Sequence, residues 1–478
     1  MDLPPQASTM TPSTHPVNST PPTPPPPPRG FPFAAILIFI VVAALLIGGF
    51  FVVRQILKAT QKPQTVTLTY WGLWESESII KPLIEEYQSA HPDVKINYIF
   101  QSPREYRERL QNALSQSKGP DIFRIHNTWV PMFKTDLSPI PSDVYSASAF
   151  ESAFYPVAKS DLRLGPNYVA VPLEIDGLAM YVNDSLFSDA GLTPPTSWEE
   201  LRRTAIDLSV CDSENGTCSS GDKILVSGVA LGTADNVDHW PDILATLMLQ
   251  NNVNLNSPAG RPAEEALQFY TIFNRSDHLW DSTLPNSTQA FAGGKLAIYF
   301  APSWRVFDIQ SLNRQLKFSV HPLPQLPLDP ARGEKPITWA TYWAEAVNAK
   351  SPYQKQSWDF LKFLTSSSSL QKLYQTASLT RAFGEPYPRG DMADQLKTAP
   401  YVGAYVSQAP SARSWYLASD TYDGPTGINS LLSKYFADSI NSVNQGRSAT
   451  EAVQTLNTGV NQVLSRYGLA PSLPAANP

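Results

Sequence analysis

Two cysteines in 478 residues exclude a disulfide-dense scaffold. Basic residues do not exceed acidic ones: formal net charge is −6 and the pI about 5.6, so nothing points to nucleic acid. The six histidines, at 15, 91, 126, 239, 278 and 321, lack the paired spacing of a catalytic metal site, and no metal or cofactor is expected. The chain has no nucleophile elbow, no phosphate-cradling glycine loop and no dinucleotide fingerprint. A glycosidase would need two carboxylates at a set separation, and nothing along the sequence selects such a pair.

Long apolar runs are also absent, with one exception. Residues 31–53 carry no charged or polar side chain, and as a helix they would span about 35 Å, enough to cross a bilayer. A signal peptide has a shorter apolar core and a small-residue cleavage site, and neither is found here. We therefore expect an uncleaved anchor. Before it, residues 1–30 form a proline-rich tail; eleven of the 44 prolines precede Arg29, too polar and stiff a segment to bury a core. A linker is expected over 54–65. Its Arg54, Lys58 and Lys62 would hold the following domain in the cytoplasm by charge alone. Cys211 and Cys218 argue for the opposite side, since they bracket a polar loop, DSENGT, short enough for a disulfide to close.

From residue 66 the chain alternates strand and helix patterns. Strands are predicted over 66–71, 94–100 and 122–125, with helices between them, giving a βαβαβ unit. The stretch 171–205, VPLEIDGLAMYVNDSLFSDAGLTPPTSWEELRRTA, reads as a strand, a turn and a helix opened by a Ser197–Glu200 capping box. A soluble region of some 400 residues exceeds one core of about 250–300 residues, so two lobes are expected. Helices are also predicted around 263–273, 351–364, 428–444 and 450–464.

The residues Asn183, Leu186-Phe187, Ala190-Gly191-Leu192, Pro194-Pro195 and Trp198-Glu199-Glu200-Leu201 resemble an ordered motif of the extracellular solute-binding proteins that include the maltose-binding proteins. Gly119-Pro120-Asp121, the strand ending before Trp304, and Gly446-Arg447 resemble further landmarks of that family. Thr341-Tyr342-Trp343 stands where the family usually has Gly-Gly-Trp. The resemblance covers about residues 66–466. It implies an α/β, two-lobe periplasmic-binding-protein-like fold, each lobe a sheet flanked by helices, preceded here by one transmembrane helix. It also implies an order: 66–173 and 317–349 in the first lobe, 177–313 and 351–466 in the second, and a tail over 467–478.

Function follows as an expectation from the same resemblance: a membrane-anchored protein on the extracellular or periplasmic face that captures a carbohydrate and delivers it to the permease subunits of an ABC importer, without catalysis. A membrane-anchored carbohydrate-active enzyme and a ligand-sensing ectodomain are the alternatives. Eleven tryptophans supply aromatic faces suited to the C–H side of a pyranose. Family position selects Trp74, Trp240, Trp304 and Trp343, with Tyr342 beside the last, as candidate contacts. The polar candidates are Glu75, Asn127, Asp176 and Arg381, whose side chains can exchange hydrogen bonds with sugar hydroxyls.

Overall fold

The computed structural model describes residues 24, 33–60, 65–213 and 217–469. The expected tail 1–30 lies outside them apart from Pro24; of the expected tail 467–478 only the first three residues are described, and Tyr467 still belongs to the helix Ala449–Tyr467. The chain divides into two compact units, Met1–Gln64 and Thr65–Pro478. In the first, a single helix runs Phe33–Thr60, and its stretch Ile36–Gln55 is long and apolar enough to cross a membrane. The helix continues through the first seven residues of the segment expected to be a linker. Arg54, Gln55, Leu57 and Lys58 are good helix formers, and no glycine or proline interrupts them.

The second unit is built on two five-stranded sheets. In the first sheet the order is Val94–Phe100, Val66–Gly72, Ile122–His126, Trp343–Val347, Ala170–Pro172. Its first three strands are parallel, as the βαβαβ pattern requires, and Trp343–Val347 runs antiparallel to both neighbours. In the second sheet the order is Phe318–His321, Ala179–Asn183, Leu296–Ala301, Ile224–Val229, Val210–Cys211. The central strands Ile122–His126 and Leu296–Ala301 are buried at every position; Leu296–Ala301 accordingly reads as a continuous apolar run, while Ile122–His126 also buries Arg124 and His126. Helix Glu77–Ala90 buries Ile80, Leu83, Ile84 and Tyr87 along one face. Helix Trp198–Leu208 opens with the expected reciprocal capping box.

Two boundaries differ from the family-based order. Phe318–His321, expected in the first lobe, is the edge strand of the second sheet. It pairs antiparallel with Ala179–Asn183, and Phe318 stacks its ring on Tyr181 at 5.8 Å. The helices Gln354–Leu364 and Ser367–Ser378, expected in the second lobe, belong to the first. Phe360 inserts between Tyr70 and Tyr87, at centroid distances of 6.3 and 4.9 Å, and Lys372 reaches Glu86. Helices Ile428–Asn444 and Ala449–Tyr467 do join the second lobe, where they pack on Gly260–Arg275.

The lobes are joined where two crossing segments touch. Gly177 and Ala340 form an isolated antiparallel bridge, flanked by bonds from Thr341 N to Asp176 O and from Leu178 N to Trp339 O. A Cβ on Gly177 would lie 1.9 Å from the Trp339 carbonyl oxygen, so only glycine fits. At the far edge of the second sheet, Cys211 and Cys218 are disulfide-bonded, with Cα atoms 5.3 Å apart.

Candidate functional site

A cavity of about 260 Å³ opens beside this crossing and is lined by both lobes. On the first-lobe side, strand Val66–Gly72 ends in a three-residue turn. Glu75 N donates to Leu73 O at 2.8 Å, and Trp74 between them has a φ of 69°. This is the strained γ-turn, rare for a bulky residue. It buries Leu73 and Glu75 and leaves the Trp74 ring in the cavity, 36% exposed. Trp74 meets Trp343 edge-on at 5.6 Å and Tyr422 at 5.5 Å. Tyr422 is also in left-handed backbone, with a φ of 52°. Trp343 backs onto Trp129 and His126, both buried. Burial pushes the His126 imidazole down to about 3, so it is neutral between its hydroxyl partners Thr128 and Thr341.

On the second-lobe side, Asp176 holds the turn that carries Trp304. Its carboxylate accepts from Ser303 N at 3.0 Å, from Ser303 Oγ at 2.8 Å and from Gly177 N at 2.8 Å. Burial nevertheless lifts it to about 7, against the pull of those donors. The Arg305 guanidinium lies 4.3 Å over the Trp304 ring, donates to His239 at 2.9 Å and pairs with Asp308 at 2.8 Å. Phe307 and Phe383 stack nearby at 4.6 Å, and the Arg381 guanidinium sits over Phe307.

Buried acids connect the two sides. Arg124 pairs with both Glu75 and Glu345 and donates to Leu73 O. Arg381 pairs with Glu385, and Glu174 accepts from Trp343 N at 3.2 Å. Oxygens of Glu75, Glu174 and Glu385 lie within 4.8 Å of one another. Three carboxylates this close do not all ionise. Burial raises Glu75 to about 7 and Glu174 well above the carboxylate range. Burial would raise Glu385 too, but Arg381 and a proton shared by Glu174 outweigh it and hold Glu385 near 2. Glu174 is thus the protonated member of that pair.

Of the residues proposed from sequence, Trp74, Asp176, Trp304, Trp343 and Arg381 come together around this cavity. The other four do not line it. Glu75 is turned inward onto Arg124. Asn127 and Tyr342 both bond to the half-buried Asp161, at 2.9 and 3.0 Å, because a polar side chain there meets an acid before it meets the cavity. Trp240 is buried at the start of helix Trp240–Gln250, packed as core. Sequence reasoning missed Glu385, Tyr422, Phe307 and Asp420, which also line the cavity. No periodic pattern marks these positions; only the fold gathers them.

Two sheets joined by short crossings, with a polar and aromatic cleft beside the joint, define a two-lobe binding protein. The chain belongs to the bacterial extracellular solute-binding protein family, whose model matches residues 82–402. It is similar to the maltotriose-binding protein of Pyrococcus abyssi, at 22% identity over 307 residues, 62% of this chain and 61% of that relative's length. Among solved structures it resembles the cyclic alpha-maltosyl-1,6-maltose binding protein of Arthrobacter globiformis, with a TM-score of 0.66, 18% identity, and coverage of 84% of this chain and all of that one. An ABC transporter solute-binding protein of Thermotoga lettingae, bound with alpha-D-tagatose, gives a TM-score of 0.61 at 20% identity over 84% of this chain and all of that one.

Proposed function

We propose that this protein is a membrane-tethered extracellular receptor that closes its lobes on a carbohydrate and delivers it, chemically unchanged, to the permease of an ABC importer. The observation that carries this reading is the cavity lining. Trp74, Trp343 and Tyr422 line the cavity together with Trp304, Phe307, several carboxyls and Arg381. Aromatic faces cover the apolar side of a sugar ring, while the acids and the guanidinium take its hydroxyls. At about 260 Å³ the space sits just below the roughly 300–1,000 Å³ of small-molecule pockets, which favours one or two sugar rings over a long chain. Relatives named for maltotriose and tagatose binding support the same ligand class. Closure would hinge on the crossing at Gly177 and Ala340.

Capture without hydrolysis is supported by the acids themselves. Oxygens of Glu174 and Glu385 lie within 4.8 Å of one another, tighter than the roughly 5–5.5 Å between the two carboxyl groups of a retaining glycosidase. The apolar helix Phe33–Thr60 would be the tether, and the Cys211–Cys218 bond agrees with an oxidising compartment for the domain. Calorimetry of the detergent-solubilised full chain against mono- and disaccharides tests the reading, with recovered ligand analysed for cleavage. Steady product formation would favour an enzyme instead. Protease added to intact cells should digest residues 65–478; full protection would overturn the outside placement.

A further inference from the structure

The cavity holds more acid than its cations can balance. Glu174, Asp176, Asp308, Glu385 and Asp420 line it, against Arg381 alone. Arg305, on the far side of Trp304, is shared between Asp308 at 2.8 Å and Asp420 at 3.6 Å. Arg124 pairs with Glu75 and Glu345, and it pulls Glu174 down less than Glu385 pushes it up. Two guanidiniums therefore face five carboxyls. Glu174 and Asp176 are the most enclosed of these acids, each 9% exposed. They have Glu385, Arg381, Glu75 and Arg124 on the first-lobe side, and Ser303, Arg305 and Asp420 on the other.

A buried carboxylate without a counter-charge takes up a proton or a cation. The faces of Trp74, Trp343 and Tyr422 border the same space, and aromatic faces next to carboxylates suit a protonated amine. We propose that the ligand is a cationic sugar, an amino sugar whose ammonium group lies against Glu174 and Asp176. This rests on the carbohydrate reading of the same cleft and narrows it. The proton that burial keeps on Glu174 would leave as the ammonium enters, so binding and proton release are linked. Below about pH 7 protons compete with the amine; a neutral sugar meets no such competition.

The test uses matched sugars that differ at one substituent: the amino, acetamido and hydroxyl forms of glucose and galactose, and of their β-1,4-linked disaccharides. Each is titrated into the full chain in detergent by calorimetry, at pH 8 and pH 5.5, in two buffers of different ionisation enthalpy. The expected result is an amino form bound about tenfold or more tighter than both neutral forms at pH 8, with proton release and a smaller preference at pH 5.5. Glu174→Gln should reduce the preference; if that variant does not fold, the pH profile of the natural chain carries the test. A neutral form bound as tightly as its amino partner overturns the amino-sugar assignment and leaves the carbohydrate reading standing. Binding of putrescine with no sugar bound overturns both.

Discussion

The two walls of the cleft use the same chemistry in opposite environments. In the first-lobe wall, Arg124, Glu75 and Glu345 have side chains no more than 3% exposed. In the second-lobe wall, Arg305, Asp308 and Asp420 are 17%, 47% and 35% exposed. The dry set is committed to structure, because removing any one member strands a charge in a place water cannot reach. The wetter set exchanges its bonds with solvent at little cost. The two sets thus differ in what the loss of a member should cost, and each can be tested by substitution.

The largest effect is expected at Arg124. Arg124→Met leaves Glu75 and Glu345 facing each other without a cation and should cost about 3–5 kcal/mol in urea unfolding. A loss below about 1 kcal/mol would mean the network is not structural. Next come the aromatics. Trp343→Ala and Trp304→Ala should each weaken sugar binding by about 1–3 kcal/mol, roughly 5- to 150-fold. Only Trp343→Ala should also lower the melting temperature strongly, since Trp343 packs on Trp129 and His126 while Trp304 is half-exposed. Equal melting shifts would erase the contrast between the walls.

A smaller effect separates the walls by pH. Asp176 has an ordinary pKa of 3.8 when unfolded and about 7 when folded, so the native state keeps a proton the unfolded chain has lost. Its contribution to stability is complete below about pH 4 and disappears as pH rises through 7. His126, lowered from 6.5 to about 3, acts in the other direction, adding stability as pH rises from 3 to 6.5. Above pH 6.5 the histidine term is constant and the raised acids act alone, Asp176 together with Glu75, which also lies at about 7. Melting temperature should fall from pH 6.5 to 8, and Asp176→Asn should flatten that fall; an unchanged slope would show that Asp176 is not the titrating group. The smallest effect is expected from Asp308→Asn, within about 1 kcal/mol and less in 1 M salt. A larger change would place the second wall in the same class as the first.

Much of this architecture was legible in the residues. The parallel unit of 66–126 follows from alternation and helix punctuation, and Ser197 with Glu200 announces its helix through a purely local bond pattern. Membership of a lobe is not local. Phe318–His321 is short enough to close either sheet, and only its register with Ala179–Asn183 decides. Phe360 marks an inward helix face, but which lobe receives it depends on Tyr70 and Tyr87, far back in the chain. The site divides the same way. Trp304 and Trp343 are legible through the family resemblance, Trp304 following the strand Leu296–Ala301 and Trp343 opening the strand Trp343–Val347. Asn127 and Tyr342 occupy comparable positions, yet Asp161, an unremarked helix acid, turns both away. Glu385 and Tyr422 lie in irregular segments whose course no periodicity encodes.

The bridge at Gly177 and Ala340 bears on inheritance as well as motion. Where a Cβ would meet a carbonyl oxygen at 1.9 Å, no neighbouring side chain can move aside to make room, because the obstacle is backbone. Every amino-acid exchange at codon 177 is thus closed to drift, whereas Gly165, with open space around its Cβ position, is limited only by its left-handed φ of 60° and can pass to asparagine. In a library of random variants selected for uptake, residue 177 should come back as glycine alone, while the cleft around it is free to change its ligand.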